Sequence, residues 1–432
     1  MVEPKTVSSV TELYEKFVLP TYGRFPIVIE RGYGCRVWDQ NEVEYLDFGA
    51  GIAVCSIGHS HPHLAQAIAQ QAGKLIHTSN LYYTRPQGKL AERIAGYIGI
   101  PGKLFFCNSG GEANEGLIKL GRKFGHATGS KRHEIITFEG SFHGRTMGGI
   151  SATAQPKVKV GFDPLLPGFR HIPLNNLPAL TAAINDKTVG ILVEPIQGEG
   201  GIHPANADFL RTLRAVCDEH NLLLMFDEVQ CGLGRTGDWC GWKTLTGDNL
   251  APDAISWAKG IAGGFPMGSF WVRSKPILLA DGTSGNLTDL FGPGTHGTTF
   301  GGTPLACAAA HAVFDVIEEE NLLENATRLG EYTLQKLRAL QSPYIREVRG
   351  AGLMIGIDLI ADLPEKLGQT GKTSSQILVN LLHAEHQLAI PAGANVVRWL
   401  PPLNVTAADI DLAVNQLSAA FNKLDSLLLA SV

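Results

Sequence analysis

Short apolar runs alternate with helical patterns through the middle of this 432-residue chain, and this alternation constrains its fold more than any other feature. Amphipathic patterns at Gly111–Phe124 and Ala207–His220 predict helices between several of the runs. Strands that are apolar along most of their length are typical of a parallel sheet with helices on both faces. The sequence therefore predicts an α/β fold with strands at Lys103–Cys107, Glu134–Phe138, Val189–Val193, Leu222–Phe226, Ala254–Trp257 and Ser269–Val272.

The C-terminal third has a different pattern, which is typical of a smaller α+β domain. One long helix is predicted at Leu305–Leu340, and two more follow at Ser374–His386 and Ala407–Leu424. Strands are predicted near Tyr344–Val348, Leu353–Ile360 and Val396–Leu400. We therefore expect an N-terminal segment (1–59) that packs with the small domain, a large α/β domain (60–310), and the small α+β domain (311–432).

Composition excludes several classes of function. The chain has 36 basic and 41 acidic residues, a net charge of −5, whereas nucleic-acid binders carry a basic excess. No apolar stretch is long enough for a membrane span, and residues 1–15 lack the apolar segment of a secretory signal. Seven cysteines, an odd number without C-x-x-C spacing, fit buried free thiols in a reducing cytoplasm.

Three local patterns could carry chemistry. Gly110 and Gly111 open a predicted helix directly after a strand, where small residues and free backbone N–H groups favour a phosphate. Asp227 ends a buried strand, the position at which ligands bind in open α/β sheets. Lys259 follows another apolar run between small residues, as a Schiff-base lysine would. Each pattern alone also fits an ordinary turn, helix cap or surface lysine.

Other patterns suggest different chemistry but have weaker support. Gly232–Gly237 matches the G-x-G-x-x-G dinucleotide fingerprint, yet it does not directly follow a strand or open a good helix. An NAD-dependent oxidoreductase is therefore a distant alternative. His59, His61 and His63 alternate, but the intervening Pro62 favours a structural role, and we expect no metal site. His143 has no recognisable Ser or Cys nucleophile partner, so a hydrolase triad is not supported.

The order of the motifs resembles that of the class III, fold-type I pyridoxal-phosphate (PLP) aminotransferases over nearly the whole chain. Any one of these stretches is unspecific, whereas the ordered set is highly specific. The matching stretches are Gly58–Pro62, Ser109–Glu115, Ser141–Thr146, Glu194–Gly201, Asp227–Gln230, Gly232–Gly237, Ala258–Gly260 and His296–Gly302.

The resemblance implies a PLP site and a homodimer with shared active sites. Lys259 would hold the cofactor covalently and shuttle a proton, and Asp227 would pair with the protonated pyridine nitrogen. Thr299, beside Thr298, would reach the phosphate of the neighbouring subunit. The other implied contacts are backbone amides of Gly110 and Gly111 to the phosphate, Phe142 and Val229 on the two ring faces, and Gln230 to the phenolate oxygen.

Further stretches resemble the acetylornithine aminotransferase group within this family, namely Pro20–Pro26, Gly51–Val54, His77–Tyr83, Leu165–Phe169 and Arg398–Leu403. This closer resemblance implies transfer of the δ-amino group of N2-acetyl-L-ornithine to 2-oxoglutarate, a step of arginine biosynthesis. Arg145, with Tyr22, would hold the substrate α-carboxylate. Arg398 would bind the second carboxylate of 2-oxoglutarate, and Glu199 would neutralise Arg398 when that carboxylate is absent.

Alternatives within the class stay open. Succinylornithine, ornithine or 4-aminobutyrate could be the amino donor, although Ile52 stands where ornithine enzymes have an aromatic residue. Glu199 and Arg398 argue against a decarboxylase or aminomutase. The chain also departs from the family at Gly111, where Thr is usual, and at Thr303, where Asn is usual.

Overall fold

The computed structural model describes residues 7–248 and 250–430. The first six residues of the predicted N-terminal segment, which are part of the stretch searched for a secretory signal, lie outside this range. The strands of the described chain are β1 Ile29–Tyr33, β2 Arg36–Asp39, β3 Glu44–Asp47, β4 Gly102–Cys107, β5 Glu134–Phe138, β6 Phe169–Ile172, β7 Thr188–Val193, β8 Ile196–Gln197, β9 His203–Pro204, β10 Leu223–Asp227, β11 Ala254–Trp257, β12 Gly268–Arg273, β13 Pro276–Leu278, β14 Ser284–Asn286, β15 Ile345–Ala351, β16 Met354–Leu359, β17 Gln387–Leu388, β18 Ile390–Ala392 and β19 Val396–Trp399.

Helices cover most of the remaining chain. Short 3-10 helices occur at Pro156–Val158, Lys259–Ala262 and Leu287–Leu290. The α-helices are α1 Val7–Phe17, α2 Ala50–Ala53, α3 Pro62–Ala72, α4 Arg85–Ile98, α5 Gly110–Ala127, α6 Met147–Ala152, α7 Leu177–Ala183, α8 Ala207–Glu219, α9 Gly241–Thr246, α10 Pro304–Glu319, α11 Leu322–Ala339, α12 Leu363–Lys366, α13 Ser374–Ala384 and α14 Ala407–Ala430.

The central sheet confirms the predicted α/β fold. Its strand order is β4-β12-β11-β10-β7-β5-β6, and only β12 runs antiparallel to its neighbours. Alternate residues of β10 enter different apolar clusters, with Leu224 and Phe226 in one, and Leu223 and Met225 in the other. Both faces of the sheet are therefore covered, which explains why these strands are apolar at successive positions.

The long helix predicted at Leu305–Leu340 is wrong. The structure divides this segment into α10 and α11 at Asn321, whose φ of 53° lies in the left-handed region. Asn tolerates that conformation better than most residues, and it ends the first helix. Both helices bury apolar residues, so the apolar periodicity continues through the break and conceals it.

Two smaller sheets flank the central one. The antiparallel sheet β15-β16-β19-β18 lies in the C-terminal third, and its strand β19 carries Arg398. The N-terminal strands form the sheet β1-β2-β3-β17, in which Asp47 of β3 is in register with Leu388 of β17. The N-terminal and C-terminal parts of the chain therefore meet in one sheet.

None of the helices in the described ranges combines the length and apolar character needed to span a bilayer.

Candidate active site

A cavity of about 620 Å³ opens where the carboxyl ends of the central strands meet. Residues directly after β4, β5, β7, β10 and β11 line it, because strands that run parallel end at the same edge of the sheet. Nine of the residues predicted for the site line this cavity, namely Gly110, Gly111, Phe142, Arg145, Glu199, Asp227, Val229, Gln230 and Lys259. The structure thus brings together residues separated by up to a third of the chain.

Asp227 is buried at the end of β10 and has three hydrogen-bond donors. Its Oδ2 accepts from His143 Nδ1 at 2.8 Å and from Asn114 Nδ2 at 2.6 Å. Its Oδ1 accepts from the backbone N–H of Val229 at 3.0 Å. Donors of this kind stabilise the charged carboxylate although it is only 3% exposed. The arrangement fixes the carboxylate and leaves Oδ1 able to accept one further donor from the cavity.

Lys259 lies two residues beyond the end of β11, with a left-handed backbone conformation (φ 46°). The carbonyl of the next residue, Gly260, accepts a hydrogen bond from Ser56 Oγ, which fixes the turn. Burial lowers the pKa of Lys259 to about 8. Its nearest carboxylate oxygen is Glu199 Oε1, 3.9 Å from Nζ. The lowered pKa raises the fraction of this amine that is uncharged at neutral pH and able to act as a nucleophile.

The N-terminus of α5 forms an anion-binding corner of the cavity. Ser109 caps the helix by accepting from the N–H of Glu112, and Gly110 and Gly111 occupy the first turn with exposed amides. Gly110 is required, since a Cβ there would lie 2.8 Å from Val229 Cγ1. Gly111 has ordinary space around it, since its nearest neighbour would lie 3.7 Å away. The missing Thr side chain at Gly111 therefore leaves room in the cavity.

Arg398 and Glu199 form a buried ion pair at the side of the cavity. Both guanidinium NH groups reach the carboxylate, at 2.8 Å and 2.9 Å. Burial opposes ionisation, but the charge and hydrogen bonds of Arg398 prevail and lower the pKa of Glu199 to about 2. Gln230 Oε1 accepts a further bond from Arg398, and Gln230 Nε2 donates to Glu199. The Arg398 charge is thus fully neutralised by a carboxylate that itself lines the cavity.

Four residues predicted for the site lie outside the cavity lining of this single chain. Arg398 is one of them, and it contacts the lining residues Glu199 and Gln230. Tyr22 is 75% exposed in the N-terminal segment. Thr298 and Thr299 lie in the loop before α10, where Asn108 Nδ2 donates to Thr298 Oγ1 at 3.1 Å. Asn80 Nδ2 also donates to the Thr298 and Gly301 carbonyls and so fixes this loop.

Comparison with known proteins identifies the family of this site. The sequence profile described as "Aminotransferase class-III" matches residues 18–421. The chain belongs to the class III aminotransferases. Class III aminotransferases depend on PLP, which confirms the predicted cofactor. An amine transaminase from an uncultivated Pseudomonas species, whose structure is similar, was solved in its PLP-bound form.

Similar class III aminotransferases match nearly the whole chain. The acetylornithine aminotransferase of Nostoc sp. is 43% identical over 420 residues, covering 95% of this chain and 93% of the relative. The acetylornithine aminotransferase of Thermosynechococcus vestitus is 44% identical, and the match covers 96% of this chain and 97% of the relative. In structure, the acetylornithine aminotransferase from Elizabethkingia anophelis has a TM-score of 0.81 at 30% identity, with 97% and 100% covered. The ornithine aminotransferase from Toxoplasma gondii has a TM-score of 0.89 at 30% identity, and the match covers 98% of this chain and 97% of that one.

The residues of the cavity fit PLP. The Lys259 amine, with its lowered pKa, suits the aldehyde of that cofactor. The buried Asp227 carboxylate suits the ring nitrogen, and the glycine-rich N-terminus of α5 suits the phosphate. The fit depends on the close approach of Gly110 to Val229, which leaves the amides accessible.

The sequence reasoning missed three buried polar residues of this aminotransferase site. His143 and Asn114 hold Asp227, and Glu194 lines the cavity after β7. Burial raises the pKa of Glu194 to about 7, while its carboxylate accepts from the N–H groups of Phe142 and Gly198. Glu194 and His143 both follow strands of the central sheet, and this position could have identified them.

The alternative motifs have structural roles in this fold. The Gly232–Gly237 loop packs tightly against the C-terminal part of the chain, since a Cβ at Gly234 would lie 2.9 Å from Leu403. Four residues separate it from the end of β10, so it is not a strand-to-helix turn. The three neighbouring histidines bind separate carboxylates, those of Asp47, Glu320 and Asp315.

Proposed function

We propose that the chain transfers the δ-amino group of N2-acetyl-L-ornithine to 2-oxoglutarate, giving N-acetyl-L-glutamate 5-semialdehyde and L-glutamate. The observation that carries this proposal is the pair of arginines around Lys259. Arg145 lines the cavity without a carboxylate partner among the residues that the structure describes, and Arg398 is neutralised by Glu199. A site that must admit substrates with one and with two carboxylates needs one permanent and one switchable cation. The acetylornithine aminotransferases at 43% and 44% identity support this substrate assignment.

Each polar residue has a defined task in this mechanism. The amides of Gly110 and Gly111 would bind the phosphate, Phe142 and Val229 would enclose the ring, and Lys259 would hold the cofactor. When bound, PLP supplies an electron sink for the carbon that loses a proton. Asp227 would keep the ring nitrogen protonated, and Lys259 Nζ would accept the proton that leaves the substrate carbon. Gln230 Nε2 retains one hydrogen for the ring oxygen, since only the other is used by Glu199.

The two arginines distinguish the two half-reactions. Arg145, together with Tyr22, is proposed to hold the α-carboxylate of acetylornithine, and the planar guanidinium of Arg145 suits bidentate binding. Glu199 stays on Arg398 during that half-reaction. When 2-oxoglutarate enters, its second carboxylate replaces Glu199 on Arg398.

The acyl group is expected to decide the preference among amino donors. Ile52 is apolar and 38% exposed, two residues before the cavity-lining Val54, and its side chain offers no partner to a free α-ammonium group. Free ornithine brings such a cation, and its desolvation is costly. Acetylornithine lacks that charge and adds an apolar methyl group.

A panel of amino donors tests the proposed substrate. We expect kcat/KM for acetylornithine to exceed the values for ornithine and 4-aminobutyrate at least tenfold, equivalent to about 1.4 kcal/mol. Ornithine or 4-aminobutyrate as the best donor would contradict the substrate assignment. Succinylornithine as the best donor would instead change the acyl preference and place the enzyme in arginine breakdown.

Reduction with borohydride tests the role of Lys259. The holoenzyme should retain the cofactor irreversibly after reduction, and peptide mapping should find the label on the peptide that contains Lys259. The Lys259→Ala variant should take up no label. Lys275, which is engaged by Asp253, is the internal control and should stay unlabelled. Label on another peptide of the wild-type enzyme would contradict the assignment.

We also propose a homodimer in which Thr299 reaches the phosphate of the partner subunit. Support comes from an exposed apolar surface next to the Thr298–Thr299 loop, formed by Leu81, Tyr82, Tyr83 and Phe300. Tyr83 is fully exposed in the single chain, and contiguous apolar surface of this kind marks an interface.

Light scattering should give twice the 46.3 kDa chain mass. Tyr83→Glu places a charge on this surface and should produce monomers that bind PLP at least tenfold more weakly. Leu278→Glu, at an exposed residue of β13, is the matched control and should stay dimeric. An active wild-type monomer would refute the shared site.

Two further expectations belong to this proposal. A cytoplasmic location fits the cysteines, of which all seven are unpaired and six are buried. The division into residues 1–59, 60–310 and 311–432 is proposed as the domain organisation, with the N-terminal segment packing on the small domain. Pairing of β3 with β17 supports that packing.

A further inference from the structure

We infer that Asn114 is a positioning residue that fixes Asp227 for the ring nitrogen of the cofactor. The inference rests on the proposed role of Asp227 and assigns a task to a residue outside the mechanism above. Asn114 is 2% exposed and lies in the second turn of α5. From α5 its side chain contacts three other segments, namely the His143 loop, β10 and β11, at the wall of the cavity.

The orientation of the Asn114 amide follows from its partners. The His143 carbonyl and the Asp227 carboxylate only accept hydrogen bonds, so Nδ2 must face both, at 3.1 Å and 2.6 Å. Oδ1 then faces the Ser256 hydroxyl, which donates to it at 2.7 Å. A reversed amide would place Oδ1 against two acceptors, so a single orientation is stable.

This position couples three parts of the site. Helix α5 presents the phosphate-binding amides, β10 ends in Asp227, and Ser256 lies on β11 three residues before Lys259. Through one buried amide, the distance between the helix and the carboxylate is held constant. Asn114 and His143 together occupy Oδ2 and thereby leave Oδ1 as the oxygen that faces the ring nitrogen.

A spectroscopic experiment separates this role from a merely structural one. PLP labelled with 15N at the ring is loaded into wild-type enzyme, Asn114→Ala and Ser256→Ala at one fixed pH. The 15N chemical shift reports whether the ring nitrogen is protonated. Ser256→Ala is the matched control, because it removes only the hydroxyl that donates to Oδ1 and leaves both Nδ2 bonds in place.

We expect Asn114→Ala to move the 15N signal towards the unprotonated position and to slow the acetylornithine half-reaction about 10- to 100-fold, as loss of a hydrogen bond to a charged group does. Ser256→Ala should keep the wild-type signal and a rate within about threefold, since it loses a neutral bond. Asn114→Leu keeps the branched side-chain shape without the amide and should behave like Asn114→Ala, which provides a second test should the alanine variant not fold.

A wild-type 15N signal in Asn114→Leu or Asn114→Ala, with the half-reaction unchanged, would overturn the inference. The signal depends on the bound cofactor and not on the amino donor. A wild-type enzyme that holds a protonated ring but does not use acetylornithine would therefore contradict the proposed substrate and leave the role of Asn114 intact.

Discussion

Asp227→Asn should fold and bind PLP yet lose about 10³-fold in both half-reactions. At about 4 Å and an effective dielectric near 20, a carboxylate stabilises a ring cation by about 4 kcal/mol, and the amide removes that charge. The amide also fits poorly in either orientation. Its NH2 group would face either the donors His143 and Asn114 or the N–H of Val229.

The control for this variant is Glu228→Gln, at the neighbouring residue. Glu228 is equally buried, and burial raises its pKa to about 7, but its carboxyl group accepts from Trp242 and Trp257 and does not line the cavity. Glu228→Gln should therefore keep at least half of the wild-type kcat for acetylornithine. Stopped-flow half-reactions measure both variants. Near wild-type rates in Asp227→Asn would show that catalysis does not depend on this charge.

The sequence predicted the inner strands of the central sheet well because β7, β10 and β11 are buried at every position. The edge strand β6 is partly exposed, and it was not predicted. The bounds of β5 and β11 agree with the prediction, and those of β10 differ by one residue at each end. The break at Asn321 could not be predicted from periodicity, because α10 and α11 continue the same apolar spacing. The helix is interrupted there because Asn321 adopts a left-handed conformation, which asparagine tolerates better than most residues.

The candidate site was predictable where it depends on strand ends. Asp227 and Lys259 were found because each follows an apolar run, and this rule applies equally to His143 and Glu194, which were missed. The contact of Glu199 with Arg398 joins residues 199 positions apart. No local pattern encodes such a contact, and only the resemblance to class III aminotransferases indicated it. The location of Tyr22 outside the cavity likewise depends on packing that sequence spacing does not contain.

Arg398→Ala should impair the glutamate and 2-oxoglutarate half-reaction far more than the acetylornithine half-reaction. Loss of one partner of a desolvated charge pair costs about 2–5 kcal/mol, so kcat/KM for glutamate should fall at least ~30-fold. Acetylornithine needs only Arg145, and its kcat/KM should fall less than about fivefold. Stopped-flow measurement of each half-reaction separately provides this comparison.

Glu199→Gln gives the reciprocal test of the same pair. In Glu199→Gln, Arg398 keeps a hydrogen-bond partner, but its charge is no longer neutralised. The carboxylate that neutralises it in the wild-type enzyme, with a pKa of about 2, is gone. The part of the bound substrate that extends from Lys259 towards Arg398 then meets a cation that no carboxylate neutralises. Acetylornithine brings no second carboxylate to this cation, so its half-reaction should slow, while glutamate should bind more tightly. If Arg398→Ala and Glu199→Gln damaged both half-reactions equally, the ion pair would serve only to hold β19 against the cavity, and the two-substrate switch would be refuted.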